Sequence, residues 1–206
     1  MGSAERRERE REEMKSLILE TAMRLFLEEG YEKVSMRRIA DEIEYSPGTI
    51  YLYFRDKDEI MYALHRMAFS RFNKALAGMG ADGTPDQRLA AGGRGYVDFA
   101  LANPELYELM FIMRAPVRCF PDKAEWEEGE QAYGMLRSAV QSAVDGGYLP
   151  ADTDVDAATL YFWSTVHGLV SLAIRGRLDM LGDKERVAEM IHQALGVMTS
   201  QIPDGG

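Results

Sequence analysis

Residues 34–57 read VSMRRIADEIEYSPGTIYLYFRDK. Ser35 stands as an N-cap, with a side-chain oxygen that can accept an orphan backbone N–H. Met36, Ile39, Ala40 and Ile43 then recur at the spacing of one helical face, while Arg37 and Arg38 point elsewhere. Ala40 is small where a crossing helix needs close approach. Glu44-Tyr45 is a turn. Ser46 is a second N-cap, followed by Pro47 at the first helical position, where its missing N–H costs nothing. Gly48 and Thr49 keep that helix start small enough to approach a phosphate backbone. Ile50 and Phe54 face inward, Tyr51 and Tyr53 present hydroxyls, and Asp56 caps a following helix. Two short helices joined by a tight turn make a helix-turn-helix, in which the second helix, here 46–52, lies in the major groove of DNA.

Outward from this stretch, the chain reads as helix after helix. Met14, Ile18, Ala22 and Leu25 form one stripe of a first helix, widened by Leu17 and Phe26, with Gly30 as a left-handed cap at its end. Residues 4–13, AERREREREE, place Glu and Arg at helical spacing. They form either a solvated extension of that helix or an arm whose Arg6, Arg7, Arg9 or Arg11 reaches phosphate. A connecting helix spans about 57–77, and the glycines of 78–84 mark a loop. Helices follow at 85–102, interrupted in composition by Gly92, Gly93 and Gly95, and from Pro104. The prolines of 115–122 exclude a helix there. Further helices run over 123–145, from a cap at Asp152 or Asp154 to about Arg175, and over 184–201. No period-2 strand pattern occurs, so the expectation is an all-α chain of roughly nine helices. A three-helix helix-turn-helix domain occupies 1–58, with 1–13 as its charged extension, and a larger helical domain occupies 59–206.

Composition narrows the function. The 46% hydrophobic and 28% charged residues are those of an ordinary globular protein. No uninterrupted run of about 18 apolar residues predicts a membrane span, and no leader pattern opens the chain. A single cysteine, Cys119, excludes an internal disulfide and fits a cytoplasmic setting; sensing of oxidants by it is the less favoured reading. The net charge is −10. Residues 1–58 carry 11 Lys and Arg against 14 Asp and Glu, a net of −3, so nucleic-acid binding must rest on a local basic face and helix N-termini. His65, His167 and His192 lie in separate helices without metal-ligand spacing, and there is no P-loop, dinucleotide fingerprint or nucleophile elbow. No catalysis, cofactor or metal is expected.

Residues 14–64 resemble the DNA-binding domain of the TetR family of bacterial transcriptional regulators. The resemblance is carried by the aliphatic-Ala-x-x-Leu-Phe run ending at Gly30, the Ile39-Ala40 pair, and SPGTIYxYF at 46–54 followed by Lys57. The family usually has Gly where Glu44 stands; a left-handed backbone there costs a non-Gly residue about 1 kcal/mol. The segments YFWSTVHGLVSLA at 161–173 and NPELYELMF at 103–111 are similar to a TetR C-terminal class named for its Trp and His-Gly. The resemblance implies a homodimeric repressor, bound to a near-palindromic double-stranded DNA operator and released by a small apolar or amphipathic ligand. An activator, or a regulator that needs no ligand, is the alternative on the same fold.

On that resemblance the residues for DNA are Ser35, Arg37, Ser46, Pro47, Gly48, Thr49, Tyr51, Tyr53 and Lys57. Tyr51, Tyr53 and Lys57 match positions that touch phosphate, and Thr49 is best placed to reach a base edge. No Arg, Asn or Gln occurs in 46–54, so bidentate base readout is absent from this helix. A ligand pocket is expected among Phe99, Tyr107, Met110, Phe111, Met113, Trp126, Tyr133, Trp163 and His167, large adaptable apolar surface, although any one of them taken singly reads first as core, and His167 as a hydrogen-bonded structural histidine. The dimer interface is expected on the last two helices: Leu160, Val166, Leu169, Val170 and Ala173, with Val187, Met190, Ile191, Leu195 and Met198. Such helices pair as a four-helix bundle, and Gly168 allows close approach.

Overall fold

The computed structural model describes residues 2–77, 83–113 and 127–200, without the side chains of Ser3 and of 198–200. The expectations for Trp126, Cys119, the 115–122 segment and the Met198 side chain therefore lie outside the described residues. The helices are α1 (Ser3–Glu29), α2 (Met36–Glu42), α3 (Pro47–Tyr51), α4 (Lys57–Ala77), α5 (Pro85–Ala102), α6 (Pro104–Tyr107), α7 (Glu127–Asp145), α8 (Val155–Ile174) and α9 (Lys184–Ser200). A π turn, Glu108–Ile112, continues α6, and a 3₁₀ turn, Asp179–Leu181, precedes α9. Among the described residues there is no strand, and the all-α expectation with about nine helices holds.

Two compact units divide the chain, one within Met1–Ala68 and Glu105–Trp126, the other within Phe69–Pro104 and Glu127–Gly206. The boundary anticipated at 58/59 lies in the first turn of α4. The chain changes unit inside α4, which runs unbroken through Lys57–Ala77, and the segment from Glu105 belongs again with the first unit.

In the first unit Ile18, Ala22, Leu25 and Phe26 are fully buried on α1, as are Ile39 and Ala40 on α2, Ile50 on α3, and Ile60, Met61 and Leu64 on α4. Every one lies on the stripe its helical period dictates. Met14 is half-buried, and Leu17 is exposed at the margin. The π turn packs on α1. Gly30 has φ 85 and ψ 144, so it ends α1 with a positive φ but an extended ψ, a region open essentially to glycine, rather than the left-handed cap expected. Glu44 has φ 61 and is the one non-glycine residue of positive φ among the described residues; the turn is left-handed where the family pattern asks for glycine.

The second unit packs α5 against α7, α8 and α9, with α7 and α9 also on α8. Leu89, Val140 and Phe162 form a core cluster joined by Leu136, Ala139, Leu149, Val155 and Ala158. Asp154 caps α8, its Oδ1 accepting from the backbone N–H of Asp156 and Ala157. By length and composition α8 could cross a membrane, which the search for an uninterrupted apolar run did not anticipate. Its buried Thr159, hydrogen-bonded to the Val155 carbonyl, and its packing on three neighbours make it a helix of this unit. α5 persists through its three glycines, although each costs a helix interior about 1 kcal/mol relative to alanine.

Two expectations for stability follow from the first unit. At exposed Glu44, Glu44→Ile should cost about 1–2 kcal/mol, because a β-branched residue is strained at positive φ, whereas Glu44→Gly should not destabilise; urea unfolding distinguishes the two. Burial pushes the His65 imidazole down to about 4, against about 6.5 in an unfolded chain. Between those values the unfolded chain binds a proton that the folded one does not, so stability falls as pH drops from 6.5 towards 4, by up to about 3 kcal/mol. His167 is shifted in the same direction by burial. Replacement of His65 by Leu should flatten this part of the stability–pH curve.

Candidate nucleic-acid interface

α3 is five residues long, far below the length at which an isolated helix is stable in water, so its position comes from its ends and its one buried side chain. Ser46 Oγ accepts from the Thr49 N–H at 3.2 Å and lies 3.0 Å from Thr49 Oγ1. Ile50 is fully buried. The turn before it is closed by the Tyr45 N–H donating to the Ala40 carbonyl at 3.0 Å. Outward, Ser46 and Gly48 are exposed, Pro47, Thr49 and Tyr53 half-buried, and Tyr51 is 55% exposed. Ser35 caps α2 through the Arg38 N–H at 3.1 Å. Arg37 is exposed and only loosely paired, 3.8 Å from Asp41. Eight of the nine residues read for DNA thus lie on or beside α2 and α3 with an outward surface.

Lys57 is placed differently. Its ammonium donates to the carbonyls of Tyr31 at 2.9 Å, Val34 at 3.2 Å and Glu32 at 3.4 Å, and it stands 4.3 Å from the Tyr31 ring centroid. An ammonium has three protons, and all three are taken. Lys57 fastens the α1–α2 loop to the start of α4.

Two features of this head were not read from the sequence. Arg24 and Arg38 both bind Glu42, Arg38 also holds Glu29 at 2.9 Å, and Arg24 holds Glu28 at 3.1 Å. Arg38, then Arg24, keeps the Glu42 carboxyl below its usual range. Leu52, 76% exposed at the end of α3, was the other; no pattern in a short motif marks an apolar residue as outward.

The residues read as a ligand pocket separate. Tyr107, Met110, Phe111 and Met113 belong to the first unit, where the Tyr107 and Phe111 ring centroids are 5.4 Å apart. Phe99, Tyr133, Trp163 and His167 belong to the second, linked by two aromatics the sequence reading missed, Phe72 and Tyr96. Phe72 is edge-on to Phe99 at 5.2 Å and to Tyr96 at 5.4 Å. The Tyr96 hydroxyl lies 3.1 Å from His167 Nδ1. Trp163 lies 6.2 Å from the His167 ring and 6.5 Å from Tyr133. The interface residues are also redistributed. Val166, Val170, Val187, Ile191 and Leu195 are buried within their own unit, which removes them from any outward face. Leu169, Ala173 and Met190 are half-buried, and Leu160 is exposed.

A capped reader helix carried on supporting helices, in a chain whose other unit is wholly helical among the described residues, defines a helix-turn-helix transcriptional regulator. Comparison with known proteins narrows this. Residues 18–64 match the family described as bacterial regulatory proteins, tetR family, and residues 89–195 match the tetracyclin repressor-like C-terminal domain. The transcriptional repressor KstR of Mycobacterium tuberculosis is 31% identical over 200 residues, 90% of this chain and 86% of its own. The repressor AcnR of Corynebacterium efficiens is 26% identical over 164 residues, 77% and 81% of the two chains. A solved protein of unknown function from Rhodococcus sp. RHA1 superposes with a TM-score of 0.72 at 26% identity, covering 92% of this chain and 95% of that one. FadR of Bacillus subtilis, solved with stearoyl-CoA, shares the fold at a TM-score of 0.67 and 17% identity, covering 87% and 96%. The chain belongs to the TetR family of bacterial transcriptional regulators.

The geometry separates two neighbouring residues by consequence. Lys57→Met should lower stability by about 2 kcal/mol, through lost charge-assisted hydrogen bonds, in thermal or urea unfolding. Tyr51→Phe should leave stability unchanged within about 0.5 kcal/mol and weaken binding to operator and unrelated DNA alike, measured by fluorescence anisotropy.

Proposed function

We propose that this regulator is a homodimeric repressor that occupies a near-palindromic operator and releases it when a small apolar or amphipathic molecule binds its second unit. The observation that carries the reading is α3, capped by Ser46, anchored by Ile50 and outward at Gly48 and Tyr51. The repressor sign is supported by KstR and AcnR, both named as repressors. Work of this kind takes place in the cytoplasm.

Dimerisation is supported by α8. Leu160, Ser164, Gly168 and Leu172 recur at every fourth position; Leu160 is 57% and Leu172 46% exposed, and Tyr161 lies beside them at 59%. A Cβ built on Gly168 would meet nothing within 4 Å in its own chain. Such a ridge is seldom left in water, and a second copy packing ridge into groove about a two-fold axis covers it. Two heads then meet half-sites about 10 base pairs apart, or a multiple of that. Ligand response is supported by the Phe99–Phe72–Tyr96–His167–Trp163–Tyr133 chain, apolar surface with one polar pair at its middle.

Genome-wide capture of bound DNA, followed by titration of the recovered site, tests the reading. The expected result is a near-palindrome bound by two copies. Recovery of no specific site would sink it. Leu172→Glu should convert dimer to monomer in sedimentation and weaken operator binding more than tenfold with helicity intact; a monomeric wild type would refute the dimer.

A further inference from the structure

Most cations of the head are engaged within the protein. Arg24, Arg38 and Arg55 pair with carboxylates, Lys57 is held by three carbonyls, Lys15 holds Glu12, and Arg37 stands loosely 3.8 Å from Asp41. On the extension of α1, Arg6 pairs with Glu10 at 3.0 Å and Arg9 with Glu13 at 3.5 Å. Arg7 and Arg11 differ. Both are exposed, neither is in an ion pair among the described residues, and they stand one helical turn apart. Together with Glu10 and Met14 they line an open groove of about 410 Å³, whose other wall is Leu52 and Tyr53 at the end of α3.

We propose that Arg7 and Arg11 form a phosphate-binding site for DNA, with the backbone strand beside the reader helix running through the groove between α1 and the end of α3. The inference rests on the DNA-binding reading and adds to it a site outside the helix-turn-helix. Three facts join in it. The head carries a net of −3 over residues 1–58, so its attraction for a polyanion must come from cations that remain unpaired. The arginine fork binds phosphate oxygens in pairs. The groove is continuous with Tyr53, already a phosphate candidate, so both walls serve one strand. Arg6 and Arg9, on the same helix but tied to glutamates, are its solvated side and an internal control. Lys33 is also outside any ion pair among the described residues, but it is not among the residues that line this groove.

The test is fluorescence anisotropy over a salt series, on the recovered operator and an unrelated duplex, with the full chain, R7Q/R11Q, R6Q/R9Q and E10Q. Glutamine keeps the helix propensity of arginine, and circular dichroism checks the fold. R7Q/R11Q removes two arginines from each of the two heads and should lower the magnitude of the slope of log K against log salt by about 3.6 for the dimer, at roughly 0.9 per phosphate, and weaken both duplexes by a common factor of about ten or more at ~0.1 M salt. R6Q/R9Q should change the slope by less than half as much. E10Q, which removes a negative charge from the groove, should tighten binding severalfold. An unchanged slope in R7Q/R11Q, equal slope changes in the two double variants, or unchanged or weakened binding by E10Q would overturn the site while leaving DNA binding intact. A wild-type chain that binds neither duplex overturns both.

Discussion

The loop between α1 and α2 leaves the carbonyls of Tyr31, Glu32 and Val34 pointing at one spot, and the ammonium of Lys57 occupies it. Beneath the ammonium lies the Tyr31 ring, itself packed 5.2 Å from Phe26, and the Tyr31 hydroxyl binds Asp58, the residue after Lys57 in the first turn of α4. One charge thus ties together α1, the loop that leads to α2, and the first residue of α4. α3 hangs between α2 and α4 and is too short to be stable alone. Its orientation is inherited from this junction, from the Ser46 cap and from buried Ile50. A surface ion pair fixes orientation less firmly, because long exposed side chains hold their geometry weakly, whereas backbone carbonyls are fixed acceptors.

The same economy of charge explains how an acidic head can belong to a DNA-binding family. The group Arg24, Glu42, Arg38 and Glu29 ties α1 to α2 and in doing so neutralises two arginines that a count of basic residues would assign to DNA. Net charge therefore says little about the field the DNA meets. What matters is which cations remain outside internal pairs and what surface they share with the reader helix.

Local features were legible in the sequence. Ser35 and Ser46 could be read as caps, Asp154 as one of two candidates with Asp152, and Pro47 as a first helical residue, because each acts within three or four residues of itself. Glu44 could be read as a left-handed position because a family pattern has glycine there. Lys57 could not be read: its acceptors are backbone carbonyls 23 to 26 residues earlier, and a carbonyl has no letter of its own. The burial of five of the residues read for the interface was hidden for a different reason. α8 is apolar on most of its circumference, so its period carries no contrast. Only packing on α5, α7 and α9 decides that Thr159, Phe162, Val166 and Val170 turn inward while Leu160 and Leu172 remain outside. Phe72 and Tyr96 were missed because they bridge helices distant in sequence, one at the end of a connector and one beside a glycine run.

The reader helix bears on specificity through what it lacks. With no arginine, asparagine or glutamine in 46–54, no bidentate contact with a base is available from it. Thr49 can offer a methyl or a hydroxyl, but its hydroxyl already lies 3.0 Å from Ser46 Oγ. Phosphate contacts add affinity without sequence information. Selection among sites must then draw on DNA shape and deformability, and on the separation of two heads in the dimer proposed. A regulator built this way places discrimination in the same contact that a ligand would have to disturb. Loss of the correct head spacing would remove selectivity and affinity together, and the phosphate contacts left to each head would hold DNA only as salt permits.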